Sequence, residues 1–492
     1  MNLNYETVGI NFNSIDKKGN KKVDEIATPQ DICDDMSNLF DYTDCNRKIW
    51  MDIYCKTGNF LSSLKRQGVD KNNIAAICQT IQSQMLVCRK LYGKILPEIE
   101  VEIKIKSLES CKVTRRGQVY YISNWKDKVR YNYQEAYNII KFVVMKEMER
   151  TMSLEFTSED NFQINNIIMN PPYNPSDLYI DFVELAHNIA SENVVAITPA
   201  KGINGKADAK NDKFRKEIVP YISKAVFYKD STDIFNIEEW GGLAYYIVNS
   251  NKSNGAVIKN ICTKNNVLNS SDFEEHDETA LNLYNRKILS IIGKVGTLGE
   301  GFKQSLYVKN TDRGEETIAG TLGFKRQIFT GEQDRGEKTP QSNYVEVMQG
   351  EKVVGYRAVS ELFTTLNLNK YKCICSIMPG AVSAFDKNGQ VLGMFKIVYI
   401  KPNQVPKGSF PVLKYFDTAE ECESFISYMN TKLVSFLYYI GCCGTTLTKE
   451  FFRFVPEPKA FDHIFTDDEL YKKYGLTNEE ITIIESVIKE RK

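Results

Sequence analysis

Residues 165–199 read NNIIMNPPYNPSDLYIDFVELAHNIASENVVAITP. The apolar run 165–170 predicts a short strand, which ends in a turn locked by two prolines. Apolar residues then recur at helical spacing and place Ile180 and Val183 on the inner side of a helix. A second apolar run, 194–199, predicts the next strand. A strand, a helix and a strand in this order indicate a mostly parallel sheet covered by helices.

The same alternation extends to both sides of this unit. Buried strands, each followed by a helix, are predicted at 47–54 (RKIWMDIY) and 73–78 (NIAAIC), and 101–107 (VEIKIKS) is a candidate third strand. Two further strands are predicted at 224–230 and 242–249. The first half is therefore expected to be α/β, and ligands of such sheets bind outside the carboxyl ends of the strands.

The character of the chain changes near residue 280. A chain of 492 residues has room for two to four domains. The stretch from Asn249 to Thr279 is polar and indicates a boundary, although 255–262 (GAVIKNIC) is compatible with an edge strand. Frequent turn signals then separate strands such as KCICSIM and MFKIVYIK. We expect one domain at 1–260 and a separate α+β domain at 280–492.

Composition excludes several classes of protein. No apolar run approaches the ~20 residues of a membrane helix, and the N-terminus lacks the apolar core of an export signal. We therefore expect a cytoplasmic protein without membrane association. The 12 cysteines are scattered, which favours reduced thiols. The three histidines, His187, His276 and His463, form no cluster, so we predict no metal site.

Net charge does not decide whether the chain binds nucleic acid. Lys plus Arg and Asp plus Glu number 63 each, but phosphate contacts need only a local basic face. A candidate face is 201–216 (KGINGKADAKNDKFRK), which has six cations and two aspartates. A solvated loop and helix start is the slightly favoured interpretation of this stretch.

The strongest chemical signal is NIIMNPPY at 166–173. The strand delivers Asn170 to its end, and Pro171 and Pro172 fix φ and remove two backbone donors. The turn offers two hydrogen-bond acceptors, Asn170 Oδ1 and the Pro171 carbonyl. Together they can bind both hydrogens of an amine whose nitrogen lone pair is delocalised into a ring or a carbonyl group. Tyr173 adds an aromatic ring. A purely structural turn is the alternative, since Asn-Pro and Pro-Pro are common in turns, but an apolar strand entering Asn-Pro-Pro-aromatic favours a functional role.

Two weaker signals precede it. In MDIYCKTGNF (51–60), Asp52 is predicted to end a strand and Gly58 to permit a tight turn into a helix. By itself this segment is equally compatible with a plain strand-to-helix loop, because it has one glycine where the dinucleotide fingerprint has three. Ala27-Thr28-Pro29 is expected to open a helix, with Thr28 as cap and Pro29 as the first helical residue.

Together these residues resemble the adenine-N6 DNA methyltransferases of restriction–modification systems, in the class whose cofactor half comes first. NPPY matches the catalytic motif without change, and DIYCKTGNF is similar to the family's D-P-x-x-x-(S/T)-G-x-F loop. Thr28-Pro29 is similar to the helical motif before the sheet, and WGGLAYYIV (240–248) resembles the strand that walls the base pocket. The C-terminal tail from FVPEPKAF onward resembles one subgroup of large type II enzymes, of the Eco57I type.

The resemblance implies a Rossmann-like S-adenosylmethionine (SAM)-dependent methyltransferase domain followed by an α+β target-recognition domain. It implies that a flipped adenine is held by Asn170, Pro171, Pro172 and Tyr173, with Tyr173 stacked on the base for ~1–3 kcal/mol. Its implied SAM contacts are Thr28, Pro29, Asp52 (to the amino group), Tyr54, Cys55, Lys56, Gly58, Phe60 and Asn170. The implied partners are duplex DNA and a cognate restriction endonuclease, and we expect a monomer.

The sequence departs from the family pattern in three places. Ile53 stands where proline is usual, and Lys56 replaces a glycine that is common in relatives. The acid expected after the second strand, which would bind the ribose hydroxyls, is absent, because Cys78 and Gln79 occupy that region. Loss of a charge-assisted hydrogen bond costs ~1.5–3 kcal/mol, so weak to moderate SAM affinity is expected unless Gln79 substitutes.

Two other functions are compatible with the motif. NPPY also serves enzymes that methylate a glutamine amide of a translation factor, and a non-catalytic specificity subunit would retain the fold. The chain order and the roughly 200 residues after the catalytic domain argue against the first, and the intact NPPY argues against the second. No acidic–Glu-x-Lys cluster indicates a fused nuclease, so we predict modification without cleavage. Candidate base-reading segments are 300–400 and 441–452.

Overall fold

The computed structural model describes residues 27–101, 112–151, 164–204, 209–235, 239, 241–276, 283–295, 318, 322, 339–362, 367–377, 384–442, 444 and 447–490. The chain forms two units. The first comprises Met1–Ile203, Asp208–Asn260 and Ser271–Leu283, and the second comprises Asn204–Ala207, Ile261–Ser270 and Tyr284–Lys492.

The first part of the chain alternates strands and helices. The strands are β1 Trp50–Cys55, β2 Ile74–Cys78, β3 Ile99–Glu100, β4 Val113–Arg116, β5 Val119–Ile122, β6 Ile164–Met169, β7 Ala190–Pro199, β8 Ile222–Tyr228, β9 Leu243–Asn249, β10 Ala256–Ile261 and β11 Glu274–His276. The helices are α1 Gln30–Ser37, α2 Asn59–Arg66, α3 Ile81–Tyr92, α4 Trp125–Tyr131, α5 Tyr133–Thr151, α6 Leu178–Ile189, α7 Lys201–Asn204 and α8 Ala209–Glu217.

These strands form one sheet in the order β11-β10-β8-β9-β7-β6-β1-β2-β5-β4-β3. The five central strands, β5-β2-β1-β6-β7, are parallel, whereas β9 lies antiparallel to both β7 and β8. The chain moves outward from β1 through β2 to β5 and then returns to β6 on the other side of β1. The strand order therefore reverses between β1 and β6, and such a switch point is where open α/β sheets bind ligands.

Continuous apolar runs explain why the central strands lie inside. All six residues of β1 and all five of β2 are buried, as expected for parallel strands covered on both faces. The helices pack in two groups, α1 with α2 and α3, and α4 with α5, α6 and α8. The predicted inner residues of α6, Ile180, Val183, Leu185 and Ala186, are fully buried. The Rossmann-like α/β architecture expected from the sequence is confirmed.

One prediction about this sheet needs correction, and one strand was missed. The stretch 255–262 is not an edge strand, because β11 pairs antiparallel with β10 on its outer side. The third parallel strand beside β2 is β5, which the sequence analysis missed, while the candidate at 101–107 lies almost wholly outside the described residues. The missed signal was the hairpin VTRRGQVYYI, in which Gly117 has a φ of 62° and joins β4 to β5.

The second unit has α+β character. Its strands are β12 Tyr344–Gln349, β13 Lys352–Ala358, β14 Tyr371–Cys375, β15 Ile397–Ile400, β16 Gln404–Pro406 and β17 Val412–Phe416, in the two sheets β13-β12-β16 and β15-β14-β17. Its helices are α9 Arg286–Lys294, α10 Ala419–Asn430, α11 Lys432–Gly441, α12 Asp467–Tyr474 and α13 Asn478–Val487.

The C-terminal helix α13 is stabilised as its sequence predicts. The side chain of Thr477 accepts a hydrogen bond from the backbone of Glu480, and the Glu480 carboxylate accepts one from the backbone of Thr477. Glu480 also bonds Ser290 and Lys294 on α9, so the cap joins two helices. Among the described residues, no helix combines the length and apolar character that crossing a membrane requires.

Candidate functional site

The loops after β1 and β6 meet at the switch point of the sheet. They line one cavity with the segment before α1, and its lining residues are Ala27, Thr28, Cys33, Asp52, Tyr54, Lys56, Thr57, Gly58, Asn59, Phe60 and Asn170. Seven predicted cofactor residues are thus brought together, whereas Pro29 and Cys55 do not line the cavity. Its volume is about 10 Å³, which is room for about one water molecule, so a larger ligand requires side chains to move.

Asp52 does not end its strand, contrary to expectation, because β1 continues to Cys55. The pairing with β2 is irregular between Asp52 and Cys55, and this irregularity frees backbone groups of Ile53 and Tyr54. Asp52 Oδ1 accepts a hydrogen bond from Tyr54 N at 3.0 Å, and the Ile53 carbonyl accepts one from Trp125 Nε1 at 2.7 Å. Both backbone groups therefore have a hydrogen-bond partner, so this bulge in β1 does not carry the free-energy cost of burying unpaired backbone groups.

The Asp52 carboxyl is 2% exposed, and its burial raises its pKa to about 7. Hydrogen bonds from Cys55 and Tyr54 and the nearby Lys56 ammonium oppose this shift. Lys56 is also buried, and its Nζ lies 5.3 Å from the centre of the Tyr54 ring. The cavity is therefore lined by a carboxyl of β1 whose pKa is raised to about 7 and by a cation of the loop that follows β1.

Gly58 makes the turn from β1 into α2. Its φ is 74°, in the left-handed region, and it precedes the first residue of α2, so a side chain at this position would be strained. Asn59 follows it, with its Nδ2 donating to the Thr28 carbonyl at 2.8 Å and its Oδ1 accepting from Lys90 Nζ at 2.6 Å. Asn59 was not predicted as a site residue, although it stands inside the recognised loop.

Thr28 is not a helix cap, contrary to expectation. Helix α1 begins at Gln30, Pro29 is the residue before it, and no side chain caps it. The Thr28 hydroxyl instead accepts a hydrogen bond from Asn170 Nδ2 at 3.0 Å. The segment before α1 therefore connects directly to the turn after β6.

The turn after β6 is buried and uncharged. Asn170 follows the last residue of β6, and Pro171, Pro172 and Tyr173 are all buried. The Tyr173 hydroxyl donates to the Ile197 carbonyl at 3.5 Å, and its ring meets Tyr179 edge to face at 6.4 Å between centroids. Stacking of Tyr173 on a base stays a prediction.

Cations of the 201–216 stretch hold the segment that follows this turn. Ser176 and Asp177 have φ values of 55° and 54°, which cost energy for residues other than glycine. Lys201 Nζ lies 3.0 Å from Asp177 Oδ1, and Lys210 Nζ donates to the Ser176 carbonyl at 3.0 Å.

The remaining described ion pairs of that stretch are Lys201–Glu239 at 3.8 Å, Lys210–Asp181 at 2.8 Å, Lys213–Glu184 at 2.9 Å, Lys213–Glu217 at 3.4 Å and Arg215–Asp212. Lys206 lies outside the described residues. Because these cations have acidic partners, mostly on α6 and just before it, the stretch is better described as a helix start held by ion pairs than as a basic DNA-binding face.

The region that lacks the expected acid contains a polar pair. Gln79, which follows β2, accepts a hydrogen bond from the Tyr54 hydroxyl at 2.8 Å, whereas Cys78 is fully buried. Gln79 is partly exposed, so it is accessible to a ligand beside Tyr54. Sequence reasoning identified both positions but not their contact.

The segment 240–248 was predicted to wall a base pocket, and its residues 243–248 belong to β9. Its residues do not line the cavity described above, and Trp240 lies outside the described residues. The candidate base-reading segments are only partly described, since 300–317, 319–321, 323–338, 363–366, 378–383 and parts of 441–452 fall outside the described residues. Among the described residues, no group of three or more His, Cys, Asp or Glu side chains is arranged to hold a metal ion.

Several solved structures resemble this chain at low sequence identity. A type I restriction-modification system methyltransferase subunit from Streptococcus thermophilus matches 51% of this chain and 49% of its own, with 11% identity and a TM-score of 0.33. The type IIG restriction endonuclease BpuSI matches 94% of this chain and 61% of its own, with 9% identity and a TM-score of 0.38. A protein assigned as a class I SAM-dependent methyltransferase from Listeria monocytogenes matches 50% of this chain and 68% of its own, with 13% identity and a TM-score of 0.31.

This chain thus spans about half the length of the first of these structures. No family model matches the sequence, and no curated protein matches it either. Identity and TM-score at this level assign no activity, so the functional argument depends on the site itself.

Proposed function

We propose that this chain is a site-specific DNA methyltransferase that transfers a methyl group from SAM to N6 of a flipped adenine. One observation carries the proposal: Asn170, which begins the NPPY turn, lines the same cavity as Asp52 of β1 and Gly58 of the loop that follows β1. A potential amine site and a potential cofactor site are therefore adjacent at the switch point of the sheet.

The charged groups of the cavity suit the amino-acid end of SAM, which carries an ammonium and a carboxylate. The Asp52 carboxylate is the proposed partner of the ammonium, and the Lys56 ammonium is the proposed partner of the carboxylate. Gly58, without a side chain, allows close approach to the backbone. When bound, SAM supplies an electrophilic sulfonium methyl group, and side chains around the small cavity must move to admit it.

Tyr54 and Gln79 are the proposed substitute for the missing acid. The Gln79 amide accepts from the Tyr54 hydroxyl, which orients it, and a neutral amide can both donate to and accept from a ribose hydroxyl. A neutral hydrogen bond contributes about 1 kcal/mol, against about 1.5–3 kcal/mol for a charged one. This agrees with the expectation of weak to moderate SAM affinity.

The turn after β6 suits a neutral amine. The Asn170 oxygen and the Pro171 carbonyl accept the two amine hydrogens and direct the delocalised lone pair toward the methyl group. Burial of the turn strengthens these hydrogen bonds, because few water molecules compete for them. No strong general base is needed, since the proton can leave after the methyl group is transferred.

We assign recognition of duplex DNA to the second unit, because base readout requires side chains beyond those at a catalytic turn. A cognate restriction endonuclease, a cytoplasmic location and a monomeric state belong to the same proposal. The smaller β-sheets of this unit supply strands and turns of the kind from which groove-reading segments are built.

The test is to incubate the full chain with methyl-labelled SAM and either duplex DNA or a total protein extract, and then to digest the DNA to nucleosides. We expect N6-methyladenine, and none with Asn170→Ala. Label in protein alone would replace this proposal with methylation of a glutamine amide. Label in neither would favour a non-catalytic DNA-binding subunit, and cleavage of unmodified DNA in Mg²⁺ would add a nuclease.

A further inference from the structure

The hydroxyl of Thr28 makes one contact that the cofactor role implied by its motif does not explain. It accepts a hydrogen bond from Asn170 Nδ2 at 3.0 Å. Thr28 is 4% exposed and Asn170 is 6% exposed, so water competes little for this bond. We propose that Thr28 is a positioning residue that holds the Asn170 amide with its oxygen available to the target amine, an inference that rests on the proposed function.

The orientation of the amide decides whether the site works. An asparagine side chain has an acceptor oxygen at one end and a donor NH₂ at the other. If the NH₂ faced the substrate amine, two donors would oppose each other. By accepting from Nδ2, Thr28 occupies the donor end and leaves Oδ1 as the acceptor.

Thr28 is itself held by the loop after β1. Its carbonyl accepts from Asn59 Nδ2 at 2.8 Å, and Asn59 Oδ1 accepts from Lys90 Nζ at 2.6 Å. Asn59 directly follows Gly58, whose φ of 74° makes the turn. A continuous set of contacts thus joins α3, the loop after β1, Thr28 and the catalytic turn.

This role differs measurably from a cofactor contact. If Thr28 bound SAM, loss of its hydroxyl would weaken SAM binding and leave the rate at saturation unchanged. If Thr28 positions Asn170, SAM affinity stays and the rate at saturation falls.

The experiment compares Thr28→Val, which keeps the shape but removes the acceptor, with Thr28→Ser, which retains it. Thr114→Val is the matched control, because Thr114 is also buried and accepts a hydrogen bond, from Gln84 Nε2 at 3.4 Å, in another part of the sheet. The measurements are the SAM dissociation constant by calorimetry and the single-turnover rate of DNA methylation at saturating SAM and DNA.

We expect Thr28→Val to lower the rate about ten-fold, with the SAM dissociation constant within about two-fold. Thr28→Ser should restore the rate to within about two-fold, and Thr114→Val should not change it. Weaker SAM binding at an unchanged saturated rate would overturn the inference, as would an unchanged rate in Thr28→Val.

A crystal structure of Thr28→Val separates failure of this inference from failure of the proposed function. If the wild-type chain methylates no DNA, the proposed function fails. Displacement or rotation of the Asn170 amide in the variant still supports positioning by Thr28, whereas an Asn170 side chain placed as in the wild type contradicts it.

Discussion

The turns after β1 and β6 lie beside each other in the sheet but are built differently. The first contains Lys56, follows the buried Asp52 of β1, whose carboxyl pKa is about 7, and depends on a glycine for its shape. The second contains no charge and is held by Pro171 and Pro172 and by a hydrogen bond to Thr28. Under the proposed function, charge is placed where the ligand is charged, and rigidity is placed where a neutral amine must be oriented.

Asn170→Ala gives the largest expected effect, because it removes the side-chain acceptor of the uncharged turn. Methyl transfer should fall at least about 100-fold, the scale of losing one oriented polar group in an active site. The SAM dissociation constant should stay within about three-fold, since Asp52 and Gly58 are untouched. Single-turnover assays and calorimetry measure the two quantities.

The matched control for that variant is Asn188→Ala. Asn188 lies on α6, and its Nδ2 donates to the Tyr133 hydroxyl outside the cavity. Its removal should leave the rate of transfer unchanged. A rate of methyl transfer by Asn170→Ala within ten-fold of the wild-type rate would contradict the proposal that the turn after β6 orients the amine.

Asp52→Asn tests the charged turn and should weaken SAM binding by about 10- to 100-fold, the value of a hydrogen bond to a charged group. The variant should also be more stable at pH 8. Burial raises the pKa of Asp52 from 3.8 to about 7, so ionising this carboxyl costs the folded state free energy, at most about 4 kcal/mol. Thermal unfolding at pH 8 measures the gain.

The pH dependence of the wild type follows from the same pKa. Between pH 4 and 7 the folded state binds more protons at Asp52 than the unfolded state, so this group makes stability fall as pH rises through that range. SAM binding requires the ionised form and should weaken as pH falls below about 7. Asp52→Asn should abolish both trends, and a pH-independent wild-type affinity between pH 5.5 and 8 would refute this role.

Lys201→Met tests whether the segment after the NPPY turn must be held in place. Loss of the Lys201 ammonium leaves the buried Asp177 without the cation that lies beside it. We expect this loss to lower the free energy of unfolding by about 1–3 kcal/mol. We expect KM for DNA to rise about ten-fold while SAM affinity stays constant. Lys213→Met is the control, because the Lys213 side chain is 53% exposed and its ion pair should contribute less than about 1 kcal/mol.

Gln79→Glu gives the smallest expected effect and would restore the acid that the family pattern contains. A carboxylate bonds a ribose hydroxyl about 1 kcal/mol more strongly than an amide does, so SAM should bind about five-fold more tightly. Gln67→Glu adds the same charge at an exposed residue of α2's C-terminal cap and should not change SAM affinity. Equal affinity in the wild type and Gln79→Glu would place the ribose elsewhere.

Local patterns were sufficient to predict most of the first sheet. Strands β1, β2, β6 and β7 each contain a run of apolar residues, and hydrophobicity accounts for the burial of those runs. The capping box of α13 was equally predictable, because its two partners are three residues apart. The hairpin of β4 and β5 was missed, although its glycine turn and β-branched and aromatic residues were present in the sequence.

The sequence by itself determined the chemical character of both turns, because prolines, glycine and charges act locally through φ and hydrogen bonding. Only the tertiary structure decided their partners. Thr28 and Asn170 are 142 residues apart, and Tyr54 meets Gln79 across two strands. Such contacts depend on the strand order that reverses between β1 and β6, which no local pattern specifies.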